Sequence, residues 1–107
     1  MKIKPAQALE LTTFKLNGYT AQQFIKANGA VDEFLFRQKG FRSRTIIELN
    51  DGLIADILTC DSVADGRHAM HKLMIELANS EVHAMINQST VDWNITSIKH
   101  FVTLENE

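Results

Sequence analysis

A chain of 107 residues has the length of one domain, and 45% apolar with 22% charged residues is the composition of an ordinary globular protein, which excludes a disordered chain, a fibre and a lipid-embedded protein. Eleven basic against 13 acidic residues leave a net charge of −2, with Lys and Arg scattered, so no positive block offers itself to phosphate backbones and nucleic acid is not an expected partner. One cysteine, Cys60, allows no intrachain disulfide, no apolar run approaches the ~20 residues of a membrane span, and Met1 to Pro5 leads into no secretory segment, so the expected address is the cytoplasm, away from membranes.

No linker, low-complexity tract or internal repeat divides the chain, and residues 1–107 read as a single domain. Ala8 to Phe14 alternates Leu9, Leu11 and Thr13 with Glu10 and Thr12, the pattern of a half-buried strand. Asn17-Gly18 ends it. Thr20 with Gln23 forms a capping box, and Phe24, Ala27, Val31, Phe34 and Leu35 follow helical spacing, which predicts one helix from Ala21 to Gln38 closed by Gly40. Asn28-Gly29 within it is a turn signal, but its neighbours repeat at three and four residues, so the helix is expected to continue at the cost of a glycine, ~1 kcal/mol.

Phe41 to Leu49 and Leu53 to Cys60 alternate on either side of Asp51-Gly52, the signature of a hairpin. A two-residue loop would pair Leu49 with Ile54, Ile47 with Asp56, Thr45 with Leu58 and Ser43 with Cys60 on one face. The other face would then hold Arg42 opposite Asp61, Arg44 opposite Thr59 and Ile46 opposite Ile57. Ser62 caps a second helix with the stripe Val63, Met70, Leu73, Met74 and Leu77, ending near Asn79, and Ser80 caps a short helical turn. Val91 to Leu104, rich in β-branched residues, reads as a fourth strand that includes Trp93 and Phe101.

Strand, helix, strand, strand, helix, strand is the split βαβ order of an α+β, ferredoxin-like fold, a four-stranded antiparallel sheet with its helices on one face. The bare face, expected to carry Ile46, Leu53, Ala55 and Ile57, would expose an apolar patch of interface size, and a homodimer should cover it.

The segments Phe24-Ile25-Lys26-Ala27-Asn28, Val31, Phe34-Leu35, Gln38-Lys39-Gly40-Phe41, Arg44, Asp51-Gly52-Leu53-Ile54-Ala55-Asp56 and Cys60-Asp61-Ser62 together resemble the dimeric α+β barrel superfamily, which includes the antibiotic-biosynthesis monooxygenases. The resemblance runs down to Met85-Ile86-Asn87 and rests on structural signatures that specify no reaction. It implies paired open sheets and a ligand cavity between sheet and helices in each subunit. Cys60 stands where members usually have tryptophan, as Ile54 often does, which marks a divergent member. The Asn, Trp and His set of the haem-degrading subgroup has no clear counterpart, His71 being only near the expected histidine.

Three residues are candidates for catalysis. Asp56, on the hairpin face with Ile54 and Leu58, is either a buried carboxylate raised towards neutral pKa that could serve as a base, or a carboxylate bonded to a helix group. Asn28, on the inward stripe of the first helix, could bind an oxyanion through its amide, or could sit at a helix kink bonded to backbone. His71 borders Met74 and could act as acid or base, or be a surface histidine. Phe24, Phe41, Ile54, Cys60, His83 and Trp93 are the candidate substrate-binding residues, with plain core packing as the alternative for the apolar ones. His68, His71 and His83 lack the spacing of a closed metal site, so no metal is expected, and the resemblance implies that no organic cofactor is needed either. The favoured reading is a cofactor-independent enzyme of monooxygenase, cyclase or isomerase type acting on a hydrophobic aromatic or polyketide-like molecule. A non-catalytic dimeric ligand-binding or stress-related protein is the alternative.

Overall fold

The computed structural model describes residues 5–104. Four strands, β1 (Ala8–Leu16), β2 (Phe41–Glu48), β3 (Ile54–Cys60) and β4 (Ile86–Ser97), form one antiparallel sheet in the order β2-β3-β1-β4. Helices α1 (Ala21–Ala27) and α2 (Gly29–Phe36) connect β1 to β2, and α3 (Val63–Glu76) and α4 (Glu81–Met85) connect β3 to β4. This is the expected α+β, ferredoxin-like arrangement.

The caps behave as their chemistry dictates. Thr20 Oγ1 accepts from the Gln23 amide at 3.1 Å while the Gln23 side chain accepts from the Thr20 N–H at 2.8 Å, and Ser62 and Ser80 cap α3 and α4. The expected continuous helix is instead two, broken at Asn28, whose backbone (φ −89°, ψ 7°) leaves the helical range. The helical spacing survives the break, so Phe24, Val31, Phe34 and Leu35 all bury. At Gly40 the chain takes φ +83° next to the Asp65 side chain, a turn closed to residues with a Cβ.

The hairpin differs from its expected register by one residue. The loop is three residues long, Asn50–Gly52, with Leu49 N–H donating to the Leu53 carbonyl, so β2 pairs Glu48 with Ile54, Ile46 with Asp56 and Arg44 with Leu58. Because side chains alternate, this single step turns β2 over from Ser43 to Glu48, and an irregularity between Phe41 and Ser43 leaves Phe41 opposite Cys60. Arg44 and Ile46 face the helices with Asp56 and Leu58, whereas Thr45, Ile47 and Leu49 face the open side. Asp51 and Gly52 do both take positive φ, as a two-residue loop would ask, but Asn50 joins them in the turn and lengthens the loop.

In β1 the polar members of the alternation, Glu10 and Thr12, lie on the helix side with Ala8 and Phe14. Glu10 is 1% exposed. The open face carries Leu9, Leu11, Ile47, Leu49, Ala55 and Ile57, so it is apolar as expected, with Ile46 on the opposite side. Strand β4 begins at Ile86 rather than Val91, because Asn17 Nδ2 donates to the carbonyls of Ala84 and Ile86 and Lys15 N–H donates to Thr90 Oγ1 across an irregularity in the ladder. It ends at Ser97, so Phe101 lies beyond it and is exposed.

Two apolar clusters pack between helices and sheet, one on Phe14, Phe24, Ile54 and Met85, the other on Val31, Phe34, Leu35 and Leu58. Phe14 and Phe24 meet edge to face with ring centroids 5.3 Å apart. Gly66 lets α3 settle on the sheet between Ile95 and Cys60 Sγ, where an added Cβ would collide. Towards its C-terminal end α3 keeps large apolar side chains, Met74 among them, exposed.

Candidate functional site

Between α3, α4 and the inner sheet face lies a cavity of about 640 Å³. Its floor is Thr12 and Phe14 of β1 with Asp56 and Leu58 of β3; Phe24, Asn28 and Val31 close one side, and Val91 and Trp93 of β4 the other. Arg67, Met70, His71 and Met74 of α3 form the roof, at the spacing of one helical face. The volume is in the range of small-molecule sites and the walls are largely apolar.

At the floor a buried polar cluster ties the broken helix to the sheet. Arg44 stands one diagonal from Asp56 across the β2–β3 ladder and forks onto it, Nε to Oδ1 at 3.0 Å and Nη2 to Oδ2 at 2.7 Å. Nη2 also donates to Asn28 Oδ1 at 2.7 Å, and Nη1 to Asp32 Oδ1 at 2.8 Å. Burial disfavours the guanidinium charge, but hydrogen bonds and charge from Asp56, then Asp32, outweigh it and raise the Arg44 pKa above its already high ordinary value. Arg44 is a permanent cation.

Asn28, 1% exposed, uses both ends of its amide: Nδ2 donates to the Phe24 carbonyl left over at the end of α1, at 2.6 Å, and Oδ1 accepts from Arg44. The two neighbours, one acceptor and one donor, fix which way the amide points. Asn28 thus sits at a kink, bonded to backbone, as one of its two readings had it, and it also lines the cavity.

A second buried acid stands behind the cavity wall. Trp93 Nε1 donates to Glu10 Oε2 at 2.6 Å, which turns the indole so that it lines the cavity. Burial raises the Glu10 pKa, the Trp93 hydrogen bond partly offsets this, and the Asp56 charge raises it further.

Of the residues singled out from sequence, Asp56, Asn28, His71, Phe24, Trp93 and His83 all line the cavity. Asp56 is not the lone carboxylate expected of a base, because both its oxygens accept from Arg44. Phe41, Ile54 and Cys60 lie elsewhere. Ile54 is fully buried in the core, and Phe41 and Cys60 border a separate void of about 10 Å³ beside Glu10 and Gly66. Burial, and then the charges of Glu10, Asp65 and Asp61, push the Cys60 thiol up to about 11. Arg44, Glu10 and Arg67 escaped sequence reading. The first was hidden by the hairpin register and the second by the habit of placing acids in water. Arg67 could have been found, because it shares a helical face with Met70, His71 and Met74. Among the described residues, no group of three or more His, Cys, Asp or Glu side chains converges as metal ligands, and no helix is long and apolar enough to cross a membrane.

The open-faced ferredoxin-like α+β sheet of this chain has counterparts among solved structures. The cofactor-independent oxygenase SnoaB from Streptomyces nogalater superposes with a TM-score of 0.71 at 15% identity, covering 92% of this chain and 98% of its own. The monooxygenase from the gene ActVA-Orf6 of Streptomyces coelicolor, solved in complex with the ligand Nanaomycin D, gives 0.71 at 17% identity, covering 94% of both chains. The protein SO0527 from Shewanella oneidensis gives 0.65 at 12% identity, covering 91% of this chain and 95% of its own. No family model and no curated protein sequence matches the chain. The likeness is one of fold, and at that level the resemblance seen in the sequence holds.

Proposed function

We propose that this protein is a cofactor-independent oxygenase acting on a hydrophobic, planar aromatic molecule bound between α3 and the sheet. The observation that carries the reading is the cavity itself: apolar and aromatic walls of ligand size converge on a buried cluster of fixed hydrogen-bond donors, Arg44 and Asn28. That two neighbours of the same fold are described as a cofactor-independent oxygenase and a monooxygenase supports the kind of chemistry.

Such chemistry draws its electrons from the substrate. An aromatic methylene loses one proton to a base; the resulting enolate passes an electron to O₂; the radicals combine, and the peroxide eliminates water with the second hydrogen. CH₂ and O₂ become C=O and H₂O. The side chain suited to take the proton is His71, a cavity-lining imidazole, since the Asp56 oxygens are engaged by Arg44. The second N–H of Asn28 Nδ2 and the Arg44 cation stabilise the enolate oxygen. Asp56 and Asp32 hold Arg44 in place rather than act on the substrate.

The test uses 1,8-dihydroxyanthrone under air, with the quinone product followed by chromatography. His71→Ala should lower kcat at least roughly 100-fold, the usual worth of a general base, with KM little changed. Product formation no faster than in protein-free buffer would refute an oxygenase and leave a binding protein. Undiminished turnover by His71→Ala would remove the base.

A further inference from the structure

Among the charged residues that line the cavity, one acid stands against two arginines. The acid, Asp56, is neutralised by Arg44, which Asp32 also contacts. That leaves Arg67 in the roof. Among the described residues no carboxylate pairs with it, and it lies one turn from His71 on the face of α3 that also presents Met70 and Met74 to the cavity. The other titratable side chains of the lining, His71 and His83, can be neutral or cationic but never anionic. Arg67 is thus the one charged side chain of the lining without an opposite charge beside it among the described residues. An unpaired guanidinium presents a planar fork of donors that matches the geometry of an oxygen acid.

We infer that the ligand is a planar apolar molecule bearing one ionised oxygen acid, and that Arg67 is the residue that recognises this group at the cavity mouth. The inference rests on the reading of the cavity as an aromatic ligand site, and it adds the ligand's charge and the residue that reads it. Arg67 is exposed, so it meets the acid while still partly hydrated and loses less hydration than a buried cation would. The rings extend from there along Met70 and Met74 towards Trp93.

Trp93 is the chain's single tryptophan and lines the cavity, so quenching of its fluorescence reports occupancy. The probes are anthracene-2-carboxylate and its neutral isostere anthracene-2-carboxamide, titrated at pH 7.5 into the full chain. Wild type should bind the carboxylate roughly tenfold or more tightly than the carboxamide, as a charge-assisted hydrogen bond implies. Arg67→Ala should erase that preference while leaving carboxamide affinity within roughly twofold, and Arg67→Lys should retain part of it. Equal binding of the two probes by wild type, or equal loss of both in Arg67→Ala, overturns the inference while the aromatic site stands. Binding of neither probe overturns the aromatic site, and the inference falls with it.

Discussion

Replacing Arg44 with Met keeps the length of the side chain and removes its charge, which isolates what the guanidinium does. In the native protein its side chain is 9% exposed, that of Asp56 13% and that of Asp32 48%. Removing the cation strands Asp56 next to apolar Leu58 and leaves Asn28 Oδ1 without its donor; Asp32, half in water, loses little. Breaking a buried ion pair from one side costs about 3–5 kcal/mol. Asp56 borders a cavity that water can enter, so the low end, about 3 kcal/mol, is the expected loss. Against a domain stability of about 5–15 kcal/mol, and with a urea slope near 1.5 kcal/mol per molar, the midpoint should fall by about 2 M. Adding Asp56→Asn to Arg44→Met removes the stranded charge and should recover more than half of the loss. Urea unfolding of the four proteins of this cycle, followed by circular dichroism, measures it. A cost below about 1 kcal/mol for Arg44→Met, or a double variant weaker than the single one, would refute the view that the cluster is a buried tie between the helix break and the sheet.

Glu10 makes stability depend on pH in the direction opposite to a salt-bridged carboxylate. Its pKa is raised in the folded protein, so between its ordinary value of 4.5 and the raised one the native state holds the extra proton and stability falls as pH rises; Glu10→Gln, which still accepts from Trp93 Nε1, should flatten that slope in pH-dependent urea titrations. Cys60, buried and with its thiol pushed up to about 11, should resist Ellman's reagent in native buffer and react fully only in denaturant, whereas rapid native labelling would contradict its placement. The apolar open face should pair two copies, giving a dimer mass by light scattering at micromolar concentration, and Ile57→Glu at its centre should yield monomer or unfolded chain. A monomeric wild type would refute this pairing.

Sequence pattern carried the element order because it rests on local physics: Thr20, Ser62 and Ser80 cap where a hydroxyl precedes an apolar repeat, and β-branched runs form strands. It failed where a one-residue difference is decided by tertiary contacts. Asp51-Gly52 supports a two-residue and a three-residue loop alike, and the inward pairing of Arg44 with Asp56 and Asn28 belongs to the longer one. Asn28-Gly29 combined a helical repeat with a turn signal, and the chain honours both by breaking the helix without losing its buried face. Part of the cavity lining was legible: Asp56, Asn28 and His71 all border it. Glu10 was not, since its burial depends on Trp93, 83 positions away in the chain.

Oxygen uptake by the purified protein with 1,8-dihydroxyanthrone tests the proposed oxygenase most directly, with Leu73→Trp, which enlarges a side chain of α3 that also lines the cavity, as the control. The proposal predicts one O₂ consumed per quinone formed, at a rate proportional to protein concentration and falling to the buffer rate in Leu73→Trp. Uptake at the buffer rate in wild type, or undiminished in Leu73→Trp, would contradict it.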